Sequence, residues 1–239
     1  MPSDSDIARW STTARTAALD AAQTAIRNEL ANFTAATFSH VGEELHAVGH
    51  IFGHDRASGA SPGGHGSDEI VAIALLFRIA GQLTSASADL FLDGRHYAAA
   101  ALLRQMVEIE YLAWAFQNED QEAERWLRST SEERRNFFTP AKLRQAADGK
   151  FRSKDYGYHC ELGGHPVPGS FVLFSDNAVF HQILLSDLLG HTGRIWDHLL
   201  AWSADNQWAS PIHSRREEMR SRYAAWKLAD KLTLLPPPP

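Results

Sequence analysis

The sequence predicts an all-α fold, a single-domain helical bundle of about six to eight helices over residues 1–235. Apolar residues recur every three or four positions along most of the 239-residue chain, which is the spacing of a buried helix face. Outside residues 171–174, no run of four or more branched or aromatic residues indicates a strand. Hydrophobic residues make up 44% of the chain, enough to enclose one sizeable core.

Local start and stop signals place each element along the chain. The predicted order is a long helix, whole or interrupted, over about 5–54; a flexible glycine-rich loop over 53–67; helices over 67–92 and 95–117; one or two polar helices to about 138; a short helix over about 140–147; a helix over about 175–205; a last helix from residue 210; and a disordered proline tail over 236–239. Ser67 is the expected N-cap of its helix, and Thr139 before Pro140 marks the short one.

The helix over residues 95–117 is the element around which the fold is organised. It is apolar almost all round, so we expect other helices to enclose it. It still carries Arg104, Glu108 and Glu110, and enclosed ionised groups need partners because their desolvation is costly. Arginine before glutamate is the weaker orientation for a pair one turn apart, which favours partners on other helices.

The neighbours of this central helix also follow from the pattern. A tight Asp93-Gly94 turn makes the helix over 67–92 its antiparallel neighbour. We expect the helix over 175–205 to pack on its other side.

Cysteine content and hydropathy indicate a cytoplasmic protein. The single cysteine, Cys160, excludes an internal disulfide and fits a reducing compartment. The chain starts with polar and acidic residues, and no run approaches eighteen apolar residues, so we expect no membrane contact.

Charge is distributed unevenly along the chain. The formal net charge is -6, yet residues 125–154 carry nine basic and three acidic side chains. That segment could attract a polyanion such as RNA. A solvated surface helix with salt bridges explains the same pattern.

Residues 93–165 combine an Arg104-x-x-x-Glu108 pair on an apolar helix, a polar helix with a tryptophan, a tyrosine-rich approach, and Gly-x-His-Pro at 163–166. Together these features resemble a bacterial all-helical family of unknown function. That family is similar to the HEPN superfamily, helical bundles that often act as metal-independent ribonucleases in toxin, antiphage and RNA-processing systems.

The resemblance implies a catalytic pair, Arg152 and His159. In HEPN ribonucleases an arginine is followed, after four to six residues, by a histidine, and six residues separate this pair. A histidine can move the 2′-hydroxyl proton near neutral pH, and a fixed arginine can stabilise the phosphorane. The structural alternative is that His159 caps or hydrogen-bonds the central polar cluster.

A supporting polar cluster is expected from Arg104, Glu108, Tyr156 and His165. Pro166 biases His165 toward an extended conformation, and the preceding glycines allow close backbone approach. His165 could thereby be aimed at Arg104 and Glu108. A buried histidine paired to a glutamate for structural reasons alone is the alternative.

Histidines at helical spacing raise the question of a metal. His46, His50 and His54 would line one stripe behind Glu43, and three residues of another helix could complete a site: Asp187, His191 and His198. A carboxylate-bridged dimetal bundle needs Glu-x-x-His from two helices, however, and one such motif is present. We therefore predict no metal and no cofactor. Whether His46, His50 and His54 bind a metal ion is left open at this point.

Two functional hypotheses follow. The first is a HEPN-like ribonuclease or RNA-binding module of a bacterial defence or toxin system. The second is a non-enzymatic helical module that binds a protein partner or a small ligand, as a homodimer. A ribonuclease should place Arg152 and His159 in one exposed cleft, whereas a binding module should bury the polar cluster.

Overall fold

The computed structural model describes residues 4–52, 67–118, 122–151, 153–174, 178–206 and 208–234. Within these ranges the fold is all-α and contains no strand, as predicted. The described residues form ten α-helices and one π-helical segment, more than the six to eight helices predicted. The predicted proline tail, and all of the predicted glycine-rich loop except Ser67, lie outside the described residues.

Ten α-helices make up most of the described chain. They are α1 (Asp4–Leu19), α2 (Ala21–Phe52), α3 (Asp68–Leu92), α4 (His96–Asn118), α5 (Glu122–Arg128), α6 (Ser131–Phe137), α7 (Pro140–Ala146), α8 (Ser153–His159), α9 (Ala178–Trp202) and α10 (Ser210–Ala229). A π-helical turn, Cys160–Gly164, follows α8 directly. Short 3-10 segments occupy Pro168–Phe174, Ser203–Asp205 and Lys231–Leu234.

Two breaks that the sequence left open are made by capping residues, while α8 and the π-helical turn lie where no helix was predicted. The Asp20 carboxylate accepts hydrogen bonds from the backbone nitrogens of Ala22 at 3.0 Å and Gln23 at 3.1 Å, so it separates α1 from α2. Thr130 and Glu133 form a reciprocal capping box that starts α6 and separates it from α5. Each cap marks a break that the apolar periodicity left open.

Several predicted boundaries are confirmed. The Ser67 hydroxyl caps α3 by accepting from the Ile70 nitrogen at 3.3 Å. Gly94, at φ +73°, turns the chain from α3 into α4, and Gly149, at φ +83°, follows α7. Glycine tolerates this left-handed conformation because it has no Cβ. Pro140 begins α7, as its missing N–H favours.

The central helix α4 packs between α3 and α9, as predicted, and α2 lies along α3. Aromatic rings join these layers in the core. The Phe38 and Phe77 ring centroids lie 5.4 Å apart in an edge-on arrangement, and Trp196 of α9 stacks on Phe38 at 6.4 Å. Such ring pairs stabilise a core beyond the area they bury.

Helix α3 is long and apolar enough to cross a membrane by length and composition. However, 61% of its most apolar window is buried inside the protein. A core helix of a helical bundle passes the same test, so α3 is weak evidence for a membrane span.

A fully buried ion pair ties the two ends of the chain together. Arg27 of α2 donates from Nε and Nη2 to the two carboxylate oxygens of Asp230, each at 2.8 Å. Gln182 of α9 accepts from Arg27 at 2.9 Å, and Trp226 of α10 donates to Asp230 at 2.8 Å. Although burial alone raises the pKa of Asp230, the hydrogen bonds and charge of Arg27 lower it below its ordinary value.

We expect Asp230→Ala to destabilise the protein by about 3–5 kcal/mol, because it leaves the Arg27 charge buried without its partner. Urea denaturation followed by circular dichroism measures this. The control is Arg220→Ala, which removes an ion pair with Glu217 on the surface and should cost under about 1 kcal/mol. Equal losses in the two variants would contradict the structural role of the buried pair.

Candidate metal centre

The central helix carries one deeply buried carboxylate, Glu110, which is 4% exposed. Two side chains of α9, one turn apart, meet it. His191 Nδ1 lies 2.6 Å from Glu110 Oε2, and Arg194 Nε donates to Oε1 at 2.8 Å. Burial alone raises the pKa of Glu110, but hydrogen bonds and charges from His191 and Arg194 outweigh it and hold that pKa below its ordinary value.

The ionised carboxylate determines which nitrogen of His191 carries the proton. A carboxylate accepts hydrogen bonds only, so we assign the hydrogen to Nδ1, which then donates to Glu110. Arg194 Nη2 lies 2.8 Å from the same nitrogen, and because a guanidinium can only donate, this contact competes with Glu110 for Nδ1. In the neutral imidazole with its proton on Nδ1, which is the form that binds a metal, His191 Nε2 presents a lone pair on the other side of the ring.

Two further side chains converge on that lone pair. His159, the last residue of α8, places its Nε2 3.3 Å from His191 Nε2. Asp187, one turn before His191 on α9, has Oδ1 3.6 Å from His191 Nε2 and Oδ2 3.6 Å from His159 Nε2. One ligand-type atom from each residue lies within 4.8 Å of the other two.

These separations are close to those around one tetrahedral metal ion. An ion bound at about 2.0–2.1 Å holds its ligand atoms roughly 3.3–3.4 Å apart. The 3.3 Å between the two Nε2 atoms fits this spacing. The two 3.6 Å contacts of Asp187 involve different oxygens, so the carboxylate has to move for one oxygen to serve as the third ligand atom. Glu110 is placed as the outer carboxylate that commonly orients a metal-bound histidine.

The turn after His159 fixes this histidine against the central helix. The chain continues from α8 into the π-helical Cys160–Gly164, a geometry often found at functional sites. A Cβ on Gly163 would lie 2.5 Å from the Ala101 backbone nitrogen, and one on Gly164 would lie 2.6 Å from Arg104 Cδ. Glycine is thus required at position 163, where the neighbour is the α4 backbone, whereas at position 164 the neighbour is the side chain of Arg104.

The predicted supporting cluster forms in part, next to this centre. The Tyr156 hydroxyl accepts from Arg104 Nη2 at 2.9 Å and donates to Glu108 Oε1 at 2.9 Å. Arg104 and Glu108 also pair directly at 2.6 Å along α4, contrary to the expectation that their order would favour partners elsewhere. Burial, reinforced by the charge of Glu108, raises the pKa of Tyr156 to about 12.

Other predicted residues lie apart from the centre or outside the described chain. Arg152 is not among the described residues, whereas His159 is 3% exposed. His165 is exposed, and among the described residues no hydrogen bond or ion pair joins its side chain to Arg104 or Glu108. The proposed catalytic roles of these residues stay predictions.

The histidine stripe is described in part. His46 is half-buried on α2, while the side chain of His50 and all of His54 fall outside the described residues. His198 pairs with Gln117, its Nδ1 2.6 Å from Oε1, rather than joining Asp187 and His191.

Sequence patterns identified members of the centre but not their grouping. The sequence predicts that Asp187 and His191 could complete a metal site with the histidines of α2. It also predicts that Glu110 needs a partner. The signal available was the one-turn spacing of Asp187 and His191, which places both on one face of a helix. Their meeting with His159 depends on how α8 lies across α9.

Comparisons of the chain with protein-family models, with characterised proteins and with solved structures gave no match. The resemblance to the HEPN superfamily therefore remains a prediction, and the centre is interpreted from its own geometry.

We expect Gly163→Ala to destabilise the protein by about 1–3 kcal/mol, the usual range for overpacking, because its Cβ meets the α4 backbone. The matched control is Gly157→Ala on α8, where a Cβ would meet nothing within 4 Å and helix propensity improves. Chemical denaturation of both variants compares them. A neutral Gly163→Ala would show that the π-helical turn does not need its close approach to α4.

Proposed function

We propose that this helical protein binds one divalent transition-metal ion, zinc by preference, between His159, Asp187 and His191. The observation that carries the proposal is the convergence of two imidazole Nε2 atoms and a carboxylate within 4.8 Å. Glu110 supports it by orienting the lone pair of His191 toward the other two side chains.

The donor set favours zinc over hard cations. Calcium and magnesium take oxygen ligands, whereas two imidazoles and one carboxylate suit zinc or iron(II). An octahedral ion would hold neighbouring ligand atoms about 3.0 Å apart, and the 3.3 Å between the two Nε2 atoms is closer to the tetrahedral spacing of zinc.

A metal-independent ribonuclease or RNA-binding module remains the second hypothesis. Its main support is a set of exposed basic residues in the segment after α5, since phosphate contacts need such a surface. These residues are Arg134, Arg135, Lys142 and Lys150. A catalytic histidine must, however, come within hydrogen-bond reach of its substrate. The ring of His159 is 3% exposed and faces Asp187 and His191, so the geometry favours metal binding.

EDTA-stripped protein titrated with Zn²⁺ against a chromophoric chelator should bind one ion per chain. We expect His159→Ala and His191→Ala to weaken binding by more than about 100-fold, beyond the 10–100-fold usual for loss of an outer partner. The control is His198→Ala, which removes a histidine of the same helix α9 that pairs with Gln117. Its affinity should match the wild type.

Two outcomes would contradict the proposal. One is no zinc binding by folded wild-type protein. The other is RNA cleavage in EDTA that His159→Ala abolishes and Asp187→Asn leaves intact, because that pattern requires the histidine without the rest of the metal centre.

Glu110→Gln should lower zinc affinity about 10–100-fold while leaving the stoichiometry at one. The amide keeps the size of the side chain but can offer its N–H₂ to His191 Nδ1, and this would move the imidazole proton to Nε2. The same chelator competition measures the effect. Glu108→Gln on the same helix, which alters the Tyr156 cluster instead, is the control and should leave zinc affinity unchanged.

A further inference from the structure

The candidate centre supplies three protein ligands, and two of them are enclosed by the protein. His159 is 3% exposed and His191 is 5% exposed, so both imidazoles are enclosed by the packing of α4, α8 and α9. The Asp187 side chain, by contrast, is 35% exposed. A fourth coordination position on the Asp187 side would open toward solvent, as in metal sites that leave one position for water or substrate.

Charge at the centre favours an anion in that position. A divalent ion brings two positive charges, and the negative charge of Asp187 neutralises one of them. The histidines bind as neutral ligands. The charge of Glu110 is matched by Arg194, whose Nε lies 2.8 Å from it. One positive charge is left uncompensated at the open side.

Tyr158 is an exposed neighbour of His159. It directly precedes His159, its ring centroid is 5.4 Å from the His159 ring centroid, and it is 45% exposed. Partial burial raises the pKa of Tyr158, and the charge of the Asp187 carboxylate is near enough to contribute to this rise. A tyrosine hydroxyl can donate a hydrogen bond to a negatively charged oxygen.

Taking these together, we propose that the loaded centre binds an oxyanion of a small ligand, a carboxylate or a phosphate, at its open position. One anionic oxygen coordinates the metal, and a second accepts a hydrogen bond from Tyr158. This inference rests on the proposed function, since the metal supplies the charge that attracts the anion.

Cobalt(II) provides the test because its visible absorption reports on its coordination. Full-length protein is loaded with Co²⁺ in a buffer free of chloride and titrated with sodium acetate or with inorganic phosphate. We expect a saturable change in the absorption bands with at least one anion. Tyr158→Phe should weaken the apparent affinity for that anion about 3- to 10-fold, the effect of one lost hydrogen bond. Tyr97→Phe, whose ring stacks on Phe174, is the control and should match the wild type.

The outcomes separate the two proposals. Failure to bind Co²⁺ or Zn²⁺ would overturn the proposed function. Metal binding with a spectrum that neither anion changes would overturn only the present inference, because the fourth position would then be closed. An anion affinity that is the same in Tyr158→Phe and the wild type would show that Tyr158 does not donate a hydrogen bond to the anion. A response to phosphate alone, or to acetate alone, would identify which oxyanion the centre selects.

Discussion

A carboxylate buried in the central helix constrains how the bundle assembles. Glu110 has to be compensated because an isolated charge in the core is costly, and the compensation comes from α9, through His191 and Arg194. These contacts fix both the register and the rotation of α9 on α4. The same register places Asp187, one turn away on α9, where the end of α8 delivers His159. The candidate centre is thus a consequence of satisfying one buried charge.

A second buried charge pair holds α9 from its other end. Arg27 and Asp230 bring α2 and the end of α10 together, and Gln182, near the start of α9, shares Arg27. Helix α9 is therefore held by polar contacts close to its first turn as well as at the candidate centre. Polar contacts of this kind specify one arrangement of helices more strictly than apolar packing does, because they require particular atoms to meet. A metal centre needs helices that are held in one arrangement, because its ligands must stay within about half an ångström of the geometry that binds the metal.

The surroundings of His159 show how backbone geometry serves the centre. The π-helical turn after it brings Gly163 and Gly164 onto α4, so the position of the histidine is set from the chain that follows as well as from α8. One turn earlier on α8, Tyr156 joins Arg104 and Glu108 of the same central helix. The two polar clusters thus share α4 and α8 but use different residues of each helix. His191 and Asp187 of α9 complete only the one that contains His159.

The sequence by itself determined most of the helices and several of their ends, but not α8 or the π-helical turn after it. Ser67, Gly94 and Pro140 act through their own backbone or the next turn, and such effects reach only about four residues along the chain. The burial of α4 and its need for polar partners were likewise readable from its composition. Only the tertiary structure decided which of the twelve histidines meet, and that Glu110 joins His191 while Arg104 and Glu108 join Tyr156. Those pairings depend on the rotation and register of one helix against another. Both are set by packing between residues far apart in sequence, which no local pattern encodes.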